Sequence, residues 1–149
     1  DSSSLFGLWY FGVLDQNEQK FTNTVKAVHN NLANPTHVGG LIRYEDDEYF
    51  RDKDKSNPWF ITTMWEAMRL LKKDNIQQAD LNKVEETIDW VTDHLYSSGV
   101  LAEQLDPYTG QSLSATPLVW SHAVYVELIL EYLKAKNKLI KNMIRPTEL

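Results

Sequence analysis

The sequence predicts an all-α fold built from helical hairpins stacked around an axis. Three observations predict it. Apolar residues recur at helical spacing in five segments. Segments apolar on most faces alternate with segments carrying a single apolar stripe. The connections alternate as well, short after the first kind of segment and long after the second.

Each element follows from its own residues. Ser4 to Leu14 is apolar on every side, through Leu5, Phe6, Leu8, Trp9, Tyr10, Phe11, Val13 and Leu14, and so predicts a helix buried all round. Asn17 to Leu32 carries one stripe, Phe21, Val25, Val28 and Leu32, spaced four, three and four. Gly39 to Tyr44 suits a short extended piece, and no other strand pattern competes. Asn57 to Lys72 is apolar on most faces, with Asn57 placed to cap it and Pro58 suited to its first position. Asp80 to Tyr96 returns to one stripe: Leu81, Val84, Ile88, Val91 and Leu95. Trp120 to Lys136 is again mostly apolar, and Lys138 to Ile144 predicts a sixth helix ended by Pro146.

Inner helices that pack on both sides and outer helices that face water on one side would produce this order. The long connections, Ala33 to Ser56 and Ser97 to Val119, both lead into the starts of inner helices. They are therefore expected to gather at one end of the bundle. Loops of roughly twenty residues in a compact helical domain are usually functional, so that end is the candidate site.

Composition narrows the function. The chain has 149 residues, 42% of them hydrophobic, and a net charge of -6. That suits one domain with a real core and argues against nucleic acid or anionic membrane as partners. Cysteine is absent, which excludes disulfides and thiolate chemistry and, with the acidic balance, leans toward a cytoplasmic setting. No apolar run reaches the roughly 18 residues of a membrane span. The start, "DSSSLFGLWYFG", has no positive leader and enters an apolar helix at once, so the chain is expected to be a piece of a longer protein.

The chemistry-bearing residues lie in the long connections. The first holds Gly39-Gly40, then Arg43, then Glu45, Asp46, Asp47 and Glu48. A charge run is ordinarily a solvated face. The sharper reading is a polar floor, with Arg43 donating to sugar hydroxyls and acidic neighbours orienting it. The carboxylates lack calcium-loop spacing. The second connection holds Glu103 between apolar Leu101 and Leu105, followed by the turn "DPYTG". A carboxylate at the mouth of a bundle can act as a base where polar groups support it. Ser121 and His122 are adjacent on a helix and cannot serve as nucleophile and base. His122 is expected to be a hydrogen-bonded structural residue. His29, His37 and His94 show no metal spacing. Trp59 and Trp120 open helices at the candidate end, where an indole can stack on a pyranose, while Trp65 suits core packing.

These stretches resemble a known family. "GVLAEQLDPYTGQSLSATPLVWSHA" resembles the C-terminal signature of glycoside hydrolase family 15, the glucoamylases and their relatives. "GGLIRYEDDEYF" with "NPWFITTMWEA" resembles the preceding signature, and "DSSSLFGLWYFGVL" an earlier helix. The resemblance extends over at least Asp1 to Tyr132 and implies that residues 1–149 are the C-terminal part, about half, of a catalytic (α/α)6 barrel. It implies inverting hydrolysis of α-glucosidic bonds in α-glucans or oligosaccharides, with Glu103 as the general base. It places Arg43, Tyr44, Trp59 and Trp120 at the substrate, and requires no metal or cofactor. The general acid is expected upstream, in the missing N-terminal half, so the isolated chain is expected to be inactive and to self-associate through unpartnered apolar flanks. Glucodextranase or trehalase specificity, a sugar-binding module and a catalytically silent helical scaffold are the alternatives.

Overall fold

The computed structural model describes residues 1–144. It contains five helices and a small four-stranded sheet in the order α1 Ser2–Tyr10, α2 Gln19–Leu32, β1 Leu41–Ile42, β2 Pro58–Trp59, α3 Phe60–Leu71, α4 Gln78–Asp93, β3 Gln104–Leu105, β4 Ser112–Leu113 and α5 Val119–Ile144. Helix α3 is the centre, packed against α1, α4 and α5, while α2 lies on α1. Its Phe60, Met64 and Met68 are fully buried, and with Leu128 of α5, Val84 of α4 and Phe21 of α2 they make one core. Burying such side chains is the main stabilising contribution, about 1.5–3 kcal/mol each.

Helices α1 and α4 start where polar side chains meet their orphan N–H groups. Asp1 caps α1 by accepting from the Ser3 N–H at 2.8 Å. Ser2, buried beside it, ties the start of α1 to the first long connection: its N–H donates to the Arg43 carbonyl and its hydroxyl to the Ile42 carbonyl, both at 2.8 Å. Helix α4 opens on a capping box between Gln77 and Asp80.

Three expectations need correction. Pro58 and Trp59 are in strand β2, and α3 begins only at Phe60 with Trp59 as its N-cap residue. Asn57 caps nothing, because its side chain is bonded to Phe50 and Gln104. Lys138 to Ile144 is no separate helix. Helix α5 runs unbroken through Asn137, whose modest propensity cost does not stop a long helix; Pro146 lies outside the described residues. Third, α1 stops at Tyr10 and is not buried all round, while its exposed flank and that of α5 match the open apolar flanks expected. Tyr10, Phe11 and Val13 are exposed, as are Val126, Leu130 and Leu133. Among the described residues nothing packs on those two flanks.

Strand β1 lies within the extended piece expected at Gly39 to Tyr44; the other strands were not legible because each has only two residues, too few to show alternation. Its strands are antiparallel in the order β1-β2-β3-β4, with Leu41 opposite Trp59, Trp59 opposite Gln104, and Gln104 opposite Leu113. Strand β1 lies in the first long connection and β2 directly follows it, while β3 and β4 lie in the second. The two connections therefore meet, as expected, at the N-terminal ends of α1, α3 and α5. The short connections gather at the other end, around a cavity of about 790 Å³ lined by Trp9, Gln16, Phe21 and Lys73 among others.

Candidate functional site

Arg43 follows β1 directly, and its guanidinium is held from several sides. Its Nε and Nη2 donate to the two carboxylate oxygens of Asp47 at 3.1 and 2.9 Å. Asp47 is 1% exposed and also accepts the Tyr49 N–H at 3.0 Å. A paired Arg–carboxylate fork of this kind fixes orientation as well as charge. The guanidinium carbon lies 4.5 Å from the Trp59 ring, 4.7 Å from Tyr44 and 5.4 Å from Tyr49, within cation–π range. Partial burial would lower the Arg43 pKa, but Asp47 and Tyr44 outweigh it and raise it, so the side chain stays charged.

Glu103 precedes β3. The β3–β4 register, continued by one residue, sets Ser114 opposite Glu103, and the Ser114 hydroxyl donates to the Glu103 carboxylate. Ser114 has a φ of 66°, a left-handed conformation that is uncommon for a residue with a side chain. The Glu103 backbone is fixed on both sides: its N–H donates to Ala115 at 3.0 Å, and its carbonyl accepts from Phe60 at 3.3 Å. None of the ion pairs among the described residues involves Glu103.

Trp120 lies in the first turn of α5 and is 53% exposed. That turn is tied to the Glu103 segment, since Leu118 N–H donates to the Leu101 carbonyl at 3.0 Å and the Ser121 hydroxyl to the Ala102 carbonyl at 2.8 Å. Its ring meets Trp65 at 5.7 Å, and Trp65 stacks on Phe6 at 4.0 Å. His122 is structural, accepting the Leu101 N–H at 3.0 Å.

The expected residues thus fall into two groups on one rim. Arg43 touches both Tyr44 and Trp59. Glu103 neighbours them through the backbone of β2 and β3, and Trp120 neighbours Glu103 through the start of α5. Among the described residues no hydrogen bond or ring contact joins Glu103 or Trp120 to Arg43. Sequence reasoning missed Ser114, Tyr49 and the bond between Asn57 and Gln104. The Glu-Gln-x₈-Leu-Ser spacing is that of a hairpin and could have pointed to Ser114; nothing marks Tyr49 among the other aromatics of its loop. The turn "DPYTG" forms as expected, with Asp106 accepting the N–H groups of Tyr108 and Thr109 at 2.9 and 2.8 Å.

Comparison with known proteins decides the kinship. Residues 81–130 match the family described as Glycosyl hydrolases family 15. The chain is related to the glycosyl hydrolases of family 15. The matched stretch includes Glu103, Ser114 and Trp120 and stops short of Arg43, Tyr44 and Trp59. A protein of Methanocaldococcus jannaschii described as an uncharacterized glycosyl hydrolase is 32% identical over 138 residues, covering 87% of this chain and 21% of that protein. The crystal structure of a bacterial glucoamylase complexed with acarbose superposes with a TM-score of 0.77 at 24% identity, over 91% of this chain and 20% of that one. That likeness establishes the fold, part of an (α/α)6 barrel. The chain spans about a fifth of the length of each of these two relatives.

Proposed function

We propose that this chain supplies the general base and one sugar-holding wall of a longer inverting α-glucoside hydrolase. In this reading Glu103 takes a proton from a water molecule as the water oxygen bonds to the anomeric carbon. The bond from that carbon to the leaving oxygen breaks on the opposite face, and the leaving oxygen takes a proton from a carboxylic acid outside this chain. Inversion needs the two carboxyl groups about 6.5–9.5 Å apart, with the water beside the base. The observation that carries the reading is the bond from Ser114 to Glu103. It orients a half-buried carboxylate that no cation among the described residues neutralises, as a general base requires. Arg43, held by Asp47 over Trp59, would donate to sugar hydroxyls, Tyr44 would flank it, and Trp120 would wall the pocket.

Kinship to a glycosyl hydrolase family supports a saccharide substrate, and the glucoamylase fold supports an α-glucan or oligosaccharide. Glu103→Gln in the longer enzyme tests the role. Turnover should fall by several orders of magnitude while calorimetric affinity for an oligosaccharide stays within a few-fold. Near-normal turnover would remove Glu103 from the reaction. A panel of maltose, isomaltose, dextran, starch and trehalose, with the product anomer followed by NMR, separates glucoamylase, glucodextranase and trehalase specificity.

One observation favours a second reading. The Arg43–Tyr44–Tyr49–Trp59 platform is formed by this chain alone, whereas the acid of the first reading lies outside it. A module that binds sugar without cutting it predicts saccharide binding by the 149-residue chain alone. The open flanks of α1 and α5 fit the remainder of the barrel, and without it they favour self-association.

A further inference from the structure

We infer that Asn57 is a positioning residue, holding the Arg43 cradle and the Glu103 strand in one register. The inference rests on the roles just proposed for Arg43 and Glu103. Asn57 is 1% exposed. Its single amide group donates twice, to the Phe50 carbonyl at 3.0 Å and to Gln104 Oε1 at 2.7 Å. Phe50 ends the arc that begins at Arg43: Arg43 grips Asp47, Asp47 accepts the Tyr49 N–H, and Phe50 follows. Gln104 is fully buried, follows Glu103 directly and pairs with Trp59 across the sheet. One side-chain amide therefore joins the loop that aims the guanidinium to the strand that carries the carboxylate.

The local cost indicates that this clasp serves more than stability. Phe50 adopts a φ of 56°, unfavourable for a bulky residue. Asn57 Oδ1, Gln104 Nε2 and Trp59 Nε1 are all buried without a partner among the described residues, and such groups are destabilising. Asp46 and Ser114, beside Asp47 and Glu103, share the left-handed backbone at φ of 57° and 66°. Strain and unsatisfied groups that gather in this way, with Gln16 Oε1 at the opposite end the one other such atom among the described residues, are characteristic of sites where geometry is imposed by function.

The test has two arms. In the 149-residue chain, the Arg43 Nε–H resonance reports whether the guanidinium is held. Asn57→Ala is expected to shift it and speed its solvent exchange at least tenfold in the folded protein, and Gln104→Leu to do the same. Gln104→Glu keeps an acceptor for Asn57 and should leave the exchange rate within about threefold. If Asn57→Ala does not fold, Asn57→Asp, with the same shape and no donor, carries the comparison. In the longer enzyme, Asn57→Ala should lower kcat by roughly 100-fold, the scale of an ångström-sized misplacement, with a smaller change in KM. A folded Asn57→Ala chain with an unchanged Arg43 signal overturns the proposal, as does a loss confined to thermal stability with kcat intact. If the wild-type longer enzyme cleaves no glycoside, the hydrolase reading fails, and the Arg43 signal still decides whether Asn57 positions it.

Discussion

Gly40 sits where the first long connection turns into β1, and replacing it with alanine tests how that turn is built. Its φ is 80°, and a methyl group there would lie 2.8 Å from Trp90 Cζ2, 3.0 Å from Pro58 Cβ and 3.2 Å from Thr63 Oγ1. Two costs add. The left-handed backbone costs an L-residue about 1–2 kcal/mol. The overlap forces movement of an indole and a proline in a packed region, about 1–3 kcal/mol. Trp90 resists the shift because its indole N–H donates to the Val38 carbonyl at 2.6 Å. Gly40→Ala should therefore lose about 2–5 kcal/mol in urea denaturation of the 149-residue chain. Gly99 is the internal control: its φ is also 80°, yet nothing lies within 4 Å of an added methyl. Gly99→Ala should lose only the backbone part, about 1–2 kcal/mol. The difference between the two isolates the overlap. If Gly40→Ala and Gly99→Ala destabilise equally, or if Gly40→Ala stays within about 0.5 kcal/mol of wild type, the packing account of this turn is wrong.

Other outcomes follow from the same structure. Burial would raise the Glu66 carboxyl, but hydrogen bonds from Arg69 and His29 outweigh it and hold its pKa below the ordinary value. A depressed carboxylate contributes stability above its unfolded pKa and loses it as pH falls through the folded one. Glu66→Gln should therefore flatten the acid limb of the stability curve below about pH 4.3, measured by denaturation at stepped pH. Leu128→Ala empties a fully buried site on α5 and should lose about 2–5 kcal/mol by calorimetry. Leu130→Glu, on the exposed apolar flank of α5, should reduce self-association of the isolated chain in light scattering without lowering its helix content. Arg43→Lys breaks the fork to Asp47 and the contact with Trp59. It should weaken saccharide binding by at least tenfold, read by calorimetry.

Much of the architecture could be read from the residues, and what could not has physical causes. Long periodic segments declared themselves: the Phe21, Val28 and Leu32 stripe is buried as spaced, and Leu81, Val84 and Val91 likewise. The convergence of the long connections followed from their lengths and destinations. Helix ends were less legible. Asn-Pro before an apolar run is a strong start signal, yet at Asn57 and Pro58 pairing with β1 and β3 overrides it. All-round apolarity in α1 and α5 signalled surface meant for burial, but not where the covering residues come from. At the site, residue types singled out Arg43 and Glu103, while their partners Asp47 and Ser114 depend on a loop conformation and a strand register. Neither leaves a periodic trace. Asn57 was visible as a polar residue but invisible as a link, because its partners lie 7 and 47 positions away.

The role of Glu103 is tested most directly by chemical rescue. Glu103→Ala in the longer enzyme should be nearly inert toward an activated α-glucoside. Added azide, which needs no deprotonation and fits the space of the lost side chain, should restore turnover and yield the β-glucosyl azide. An α-configured azide product, or hydrolysis by Glu103→Ala at the wild-type rate without azide, would contradict the assignment of Glu103 as the base of an inverting displacement.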